Sequence, residues 1–155
     1  MLISKYFTLE QLTISSVAKK KKLSNVPSEP SIENLSRLAK TILDPAHEHF
    51  GTGVIIRSGF RAPRVNESVG GALNSQHCVG EAVDFEINGV PNVVLANWVI
   101  EKCMYDQCIL EFYNPQEGPN SGWVHASVRG FGNRRQQFIA YKNGSGTKYF
   151  PVEKF

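Results

Sequence analysis

The ten residues from Ser75 to Asp84, with the tripeptide Trp123-Val124-His125 some forty positions later, constrain this chain more than any other part of it. If His77, Asp84 and His125 converge, they offer two imidazoles and one carboxylate to a single cation. Such a set leaves a fourth tetrahedral position for water, as a hydrolytic zinc site requires. Two imidazoles and a carboxylate suit a borderline cation such as zinc better than a hard one. Spacing alone admits another reading just as readily, in which each is a hydrogen-bonded structural side chain.

The surrounding pattern says how the three could meet. Pro63 to Gly80 carries Asn66, Gly70, Gly71, Asn74 and Ser75 and reads as loop, with one helical turn around Val65 to Val69. Ala82 to Ile87 then alternates with period two, so that Val83, Phe85 and Ile87 face the core while Asp84 and Glu86 face away. Glu86 lies two residues beyond Asp84, about 6.5–7 Å along the strand, too far to share a metal as a direct ligand. Gln107 to Tyr113 and Gly122 to Val128 read as two strands of a long hairpin closed by the polar loop 114–121. Glu111 lies on one face of the first strand and His125 on one face of the second, so coinciding faces make them neighbours. Val54 to Ser58 is a short β-rich run that delivers Ser58-Gly59-Phe60-Arg61 to a loop. Arg61 there can bind a carboxylate or a developing oxyanion, or make an ordinary surface ion pair.

At 155 residues, with 41% hydrophobic and 20% charged residues, the chain is expected to form one domain, 1–155, with residues 1–26 as a helical lead-in. In the lead-in, Thr8-Leu9-Glu10-Gln11 has the form of a capping box and predicts a helix to about Ala18. Ile32, Leu35, Leu38, Ala39, Ile42 and Leu43 recur at helical spacing, and Pro45 should kink or restart that helix. His47 and His49, two positions apart, cannot share a helical face and read as surface residues rather than ligands. A second helix follows Pro91, with Val94, Leu95, Trp98 and Cys103 as its buried stripe. A strand from Gln137 to Tyr141 should extend the sheet, ahead of a loosely specified tail after Gly144-Ser145-Gly146.

Charge and cysteine content exclude several classes. The net charge of +3 is modest, and the Lys19 to Lys22 run reads as a solvated face rather than a nucleic-acid site. Three cysteines without CxxC spacing argue against a disulfide framework and a thiolate zinc knuckle; Cys78 reads as a small buried hydrophobe rather than a nucleophile. No stretch approaches the roughly 20 apolar residues of a membrane span, and Met1 to Lys5 does not open a secretion signal. A soluble monomer, synthesised in the cytoplasm, is the expected state.

Ser75-x-His77-x-x-Gly80-x-Ala82-x-Asp84 with Trp123-Val124-His125 resembles the family of zinc D-Ala-D-Ala carboxypeptidases and phage endolysin peptidases, in particular its short, single-domain members. Ser58-Gly59-Phe60-Arg61 looks like that family's arginine motif, and Phe7 to Leu12 is similar to the lead-in of its phage members. The resemblance implies an α+β fold with zinc bound by His77, Asp84 and His125, and Arg61 on the substrate carbonyl or carboxylate. It also implies cleavage of a peptide bond in bacterial peptidoglycan, often next to a D-amino acid, by a phage or prophage lysin or a related cell-wall enzyme; a chain without a secretion signal would fit phage release or carriage in a virion. One departure matters: many members carry a catalytic glutamate three residues before the last histidine, where this chain has Gly122. Glu111 is the expected substitute base, with Glu117 as the fallback. The missing acid also motivates an alternative, a zinc-containing wall- or protein-binding module without catalysis.

Overall fold

The computed structural model describes residues 1–51 and 53–155. Six strands form one sheet in the order β1-β2-β4-β3-β5-β6, where β1 is Val54–Ser58, β2 Ala82–Ile87, β3 Gln107–Glu111, β4 Trp123–Ser127, β5 Gln136–Asn143 and β6 Gly146–Pro151. The helices are α1 (Leu9–Thr13), α2 (Ser16–Lys21), α3 (Glu29–Leu38), α4 (Asp44–Phe50), α5 (Pro63–Ser68) and α6 (Asn92–Lys102). This is the α+β fold that the resemblance implies, but the sheet, expected to be antiparallel, is mixed. β3 and β4 form the antiparallel hairpin, and the chain then crosses back so that β5 lies parallel to β3 on its other side.

Side-chain alternation gives the sheet two unlike faces. Val83, Phe85, Ile87, Cys108, Leu110, Val124 and Ala126 turn to one side and share a core with Leu35, Leu38, Ile42 and Leu43 from the α3 region and Leu95 and Val99 from α6. Each of those fully buried aliphatic side chains contributes about 1.5–3 kcal/mol relative to exposure. Asp84, Ile109, Glu111, His125 and Phe138 occupy the opposite face, where the cleft described below forms.

Local departures from the sequence expectation have local causes. The lead-in is two helices rather than one to Ala18. Thr13 turns its hydroxyl back onto the Leu9 carbonyl at 2.9 Å, Ile14 is extended, and Ser15 caps a new helix by accepting from the Ala18 amide. At Pro45 the helix restarts as expected, α4 beginning at Asp44 with the proline in its first turn, after the backbone widens into a π turn over Ala39–Leu43. Proline lacks the N–H for the ordinary i−4 bond and its ring would crowd that carbonyl; the wider turn relieves both. In α6, Val94 is 47% exposed, and Ala96 and Val99 take its place in the buried stripe beside Leu95 and Trp98. The supposed loose tail is strand β6, paired over its length with β5.

The lead-in is pinned to the body by one carboxylate. Buried Asp44, at the start of α4, accepts from the Ser4 hydroxyl at 2.8 Å, the Lys5 amide at 3.0 Å and the Tyr6 amide at 3.3 Å. His47 stacks on Tyr6 with ring centroids 4.1 Å apart, and His49 stacks on Trp98 at 5.4 Å, so both histidines are engaged in packing away from the cleft. Removing the carboxylate strands several donors. Asp44→Ala is therefore expected to cost about 2–3 kcal/mol in a urea unfolding series; a midpoint equal to wild type would refute this anchoring role.

Candidate metal centre

The glycines and small residues of the 75–84 motif have structural work. Ser75 caps a 3-10 turn over Gln76–Val79 by accepting from the His77 amide at 3.2 Å. Gly80 ends that turn at φ +78°, and a Cβ there would lie 2.5 Å from the Ser31 carbonyl of α3. Only glycine satisfies both demands. The chain then enters β2, whose second face presents Asp84 directly opposite His125 of β4.

The loop after β1 is stitched to the histidine turn. The Arg61 amide donates to the His77 carbonyl at 3.1 Å, and His77 Nδ1 donates to the Gly59 carbonyl at 2.7 Å. A carbonyl can only accept, so Nδ1 carries a proton and Nε2 is the ring nitrogen turned toward Asp84. His77 Nε2 lies 3.3 Å from Asp84 Oδ1, and His125 Nδ1 lies 3.0 Å from the same oxygen. One candidate ligand atom from each residue falls within 4.8 Å of the others. Tetrahedral zinc with bonds of ~2.0–2.1 Å sets neighbouring donors roughly 3.3 Å apart, so these separations and this donor set suit such an ion. Burial would raise the Asp84 carboxyl, but the adjoining imidazoles more than offset it and hold the group well below the usual carboxylate range.

Glu111 lies beside this cluster. β3 pairs with β4 so that Ile109 opposes His125 and Glu111 opposes Trp123, and Glu111 Oε1 comes within 3.5 Å of His125 Nδ1. Burial pushes its carboxyl up to about 7, with the charge of Asp84 adding to the rise and His125 and Arg61 opposing it. All five predicted site residues, Arg61, His77, Asp84, Glu111 and His125, line one cleft of about 850 Å³. Arg61 Nε and Trp123 Nε1 are buried in the cleft wall, where neither meets a hydrogen-bond partner at good geometry.

Other candidates fall outside. Glu117 is exposed in the hairpin loop and accepts from the Asn114 side chain. Glu86 is taken by Arg57 and Asn92. Cys78 is half-buried rather than buried; it lines a neighbouring groove, and burial raises its thiol away from the reactive form. Sequence reasoning missed the wall made by Phe138, Thr147 and Tyr149, although Thr147-Lys148-Tyr149-Phe150 after a glycine turn carries a β signal. Arg129 and Arg134, also in the cleft wall, both bond the wholly buried Asp106, at 3.2 and 2.7 Å.

Gly122, the position of the absent acid, has its own explanation. Its φ is +65°, and a Cβ there would lie 1.9 Å from the Glu111 carbonyl oxygen and 2.7 Å from Phe112 carbon. The backbone of β3 occupies the space that a side chain would need. Gly122→Ala is expected to cost about 2–4 kcal/mol of stability, read from the thermal or denaturant midpoint; unaltered unfolding would contradict the close approach.

A family model described as Peptidase M15 matches residues 5–116, a segment that includes Arg61, His77, Asp84 and Glu111 and stops before His125. No curated protein matches the chain.

Proposed function

The chain belongs to the M15 peptidase family, and from that premise we propose that it is a zinc-dependent hydrolase cutting peptide bonds in the stem peptides of bacterial peptidoglycan. The observation that carries this reading is the convergence of His77, Asp84 and His125 on one point with Glu111 beside them in an open cleft. His77 Nε2, Asp84 Oδ1 and His125 Nδ1 would hold the zinc. Bound there, zinc supplies Lewis acidity to the scissile carbonyl and to an attacking water.

Glu111 accepts the proton as the water oxygen attacks the carbonyl carbon. It returns that proton to the amine nitrogen as the C–N bond breaks. Arg61 donates to the oxygen on which negative charge develops, or to a substrate carboxylate. The Gly59 carbonyl keeps the His77 ring in the tautomer whose Nε2 is free to coordinate. An acid missing from position 122 does not argue for a merely binding module, since Glu111 lies beside His125. The peptidoglycan substrate, the D-residue next to the cut bond, action at the cell wall after phage release or from a virion, and operation as a single 1–155 domain belong to this proposal. Their support is the motif resemblance. No helix among the described residues is long and apolar enough to cross a membrane.

Purified protein is expected to hold about one zinc per chain and to release new products from muropeptides by mass spectrometry, with a chelator abolishing the activity and added zinc restoring it. His77→Ala and Asp84→Ala should lose both metal and activity. Glu111→Gln should keep the metal while losing about 10²–10⁴-fold in turnover. Zinc content without any product from muropeptides would favour the binding-module alternative, and full activity in Glu111→Gln would remove that residue from the mechanism.

A further inference from the structure

The next step rests on reading the cleft as a peptide-hydrolysing site. Strand register carries the cleft floor past the metal centre onto a hairpin that lies outside the segment the family model matches. β3 sets Glu111 opposite Ala140 of β5, and β5 sets Ala140 opposite Tyr149 of β6. Trp123, Glu111, Ala140 and Tyr149 therefore form one row across four strands, on the face that presents His125 and Ile109.

Strands lie about 4.8 Å apart, so the Tyr149 backbone stands roughly 10 Å from that of Glu111, two spacings across the sheet. The residue between them is alanine, wholly buried, so larger neighbouring side chains close over it. A phenol can lean inward over it toward the space in front of Glu111. The ring of Phe138 meets the Tyr149 ring edge-on with centroids 6.5 Å apart and braces it from the neighbouring row. Both residues, with Thr147, line the cleft. Burial, together with the negative charges of Glu111 and Asp84, raises the Tyr149 hydroxyl above its ordinary value and keeps it a donor. Arg61 serves the cleft from the loop after β1, at the other side of the sheet.

We propose that Tyr149 is a substrate-contacting residue, whose hydroxyl donates a hydrogen bond to the backbone of the bound peptide on the side of the scissile bond away from Arg61. The β5–β6 hairpin is then a substrate wall, and an extended peptide lies in the cleft between Glu111 and Tyr149.

Zinc-loaded wild type and Tyr149→Phe are compared on purified muropeptides for kcat and KM. Binding of the same peptides is measured by calorimetry to Glu111→Gln and to Glu111→Gln with Tyr149→Phe. Loss of one donor to the substrate is expected to lower kcat/KM about tenfold and to weaken binding in the inactive pair by a similar factor. Zinc content and thermal midpoint should stay at wild-type values, because Tyr149 is 52% exposed and phenylalanine keeps its ring packing. Wild-type kcat/KM and wild-type binding in the Tyr149→Phe proteins overturn the role of Tyr149 alone. Wild type that neither binds nor cuts the muropeptides overturns the peptidoglycan reading, and the role of Tyr149 with it.

Discussion

A carboxylate held in the interior between two imidazole rings is the arrangement on which the rest of this molecule depends. Removing an ionised carboxylate from water costs several kcal/mol, and only well-placed partners repay it. Asp84 has such partners at 3.0 and 3.3 Å, but both rings aim lone-pair nitrogens or shared protons at a single oxygen. Three converging donors of this kind are satisfied together by one cation and only partly by one another. The burial of Asp84 is thus intelligible if the cluster is a candidate metal site, for which the fold supplies the rigidity.

Rigidity comes from register and from one cross-loop stitch. Asp84 and His125 are direct partners on neighbouring strands, so their separation is fixed by the sheet itself. His77 comes from a short 3-10 turn, which has no such ladder. It is held instead by the bonds between Gly59, His77 and Arg61, which lock the arginine loop and the histidine turn into one unit. The Ser-Gly-Phe-Arg segment and the histidine motif therefore go together for a mechanical reason. A change in the loop at Gly59 would be felt at the metal position before it was felt at the substrate.

The parts of the fold that could be read from sequence were those in which one residue type has one physical use. Period-two alternation placed Asp84 and Glu111 on the cleft face, and the hairpin argument brought Glu111 toward His125, because both rest on the geometry of a strand pair. Arg61 and His77, in a loop and a turn, were singled out by the motif resemblance instead, and the bonds between Gly59, His77 and Arg61 bring them to the same cleft. What escaped depended on competition between near-equal local choices. Thr13 and Ser15 break a helix that the capping box starts, Ala39–Leu43 widens to admit Pro45, and Val94 yields to Ala96 at the core. Strand β6 escaped because all six of its residues are exposed, so no burial alternation marks it. The β-prone run Thr147 to Phe150 was its one local hint, and pairing with β5 is what makes it a strand. The wall containing Tyr149 was lost with it.

Position 122 shows why the turn into β4 carries no acid in this chain. A glutamate three residues before the last histidine would have to rise from the turn that enters β4. Here that turn runs at positive φ against the carbonyl of Glu111, and no side chain fits. The partner strand passes the same place, and its residue opposite Trp123 points into the same cleft two residues from the His125 row. A carboxylate beside His125 can therefore be delivered by either strand of the hairpin, and closing the turn tightly on one strand leaves the other to supply it. The requirement belongs to a point in space near the imidazole, and the sheet offers two backbones that reach it.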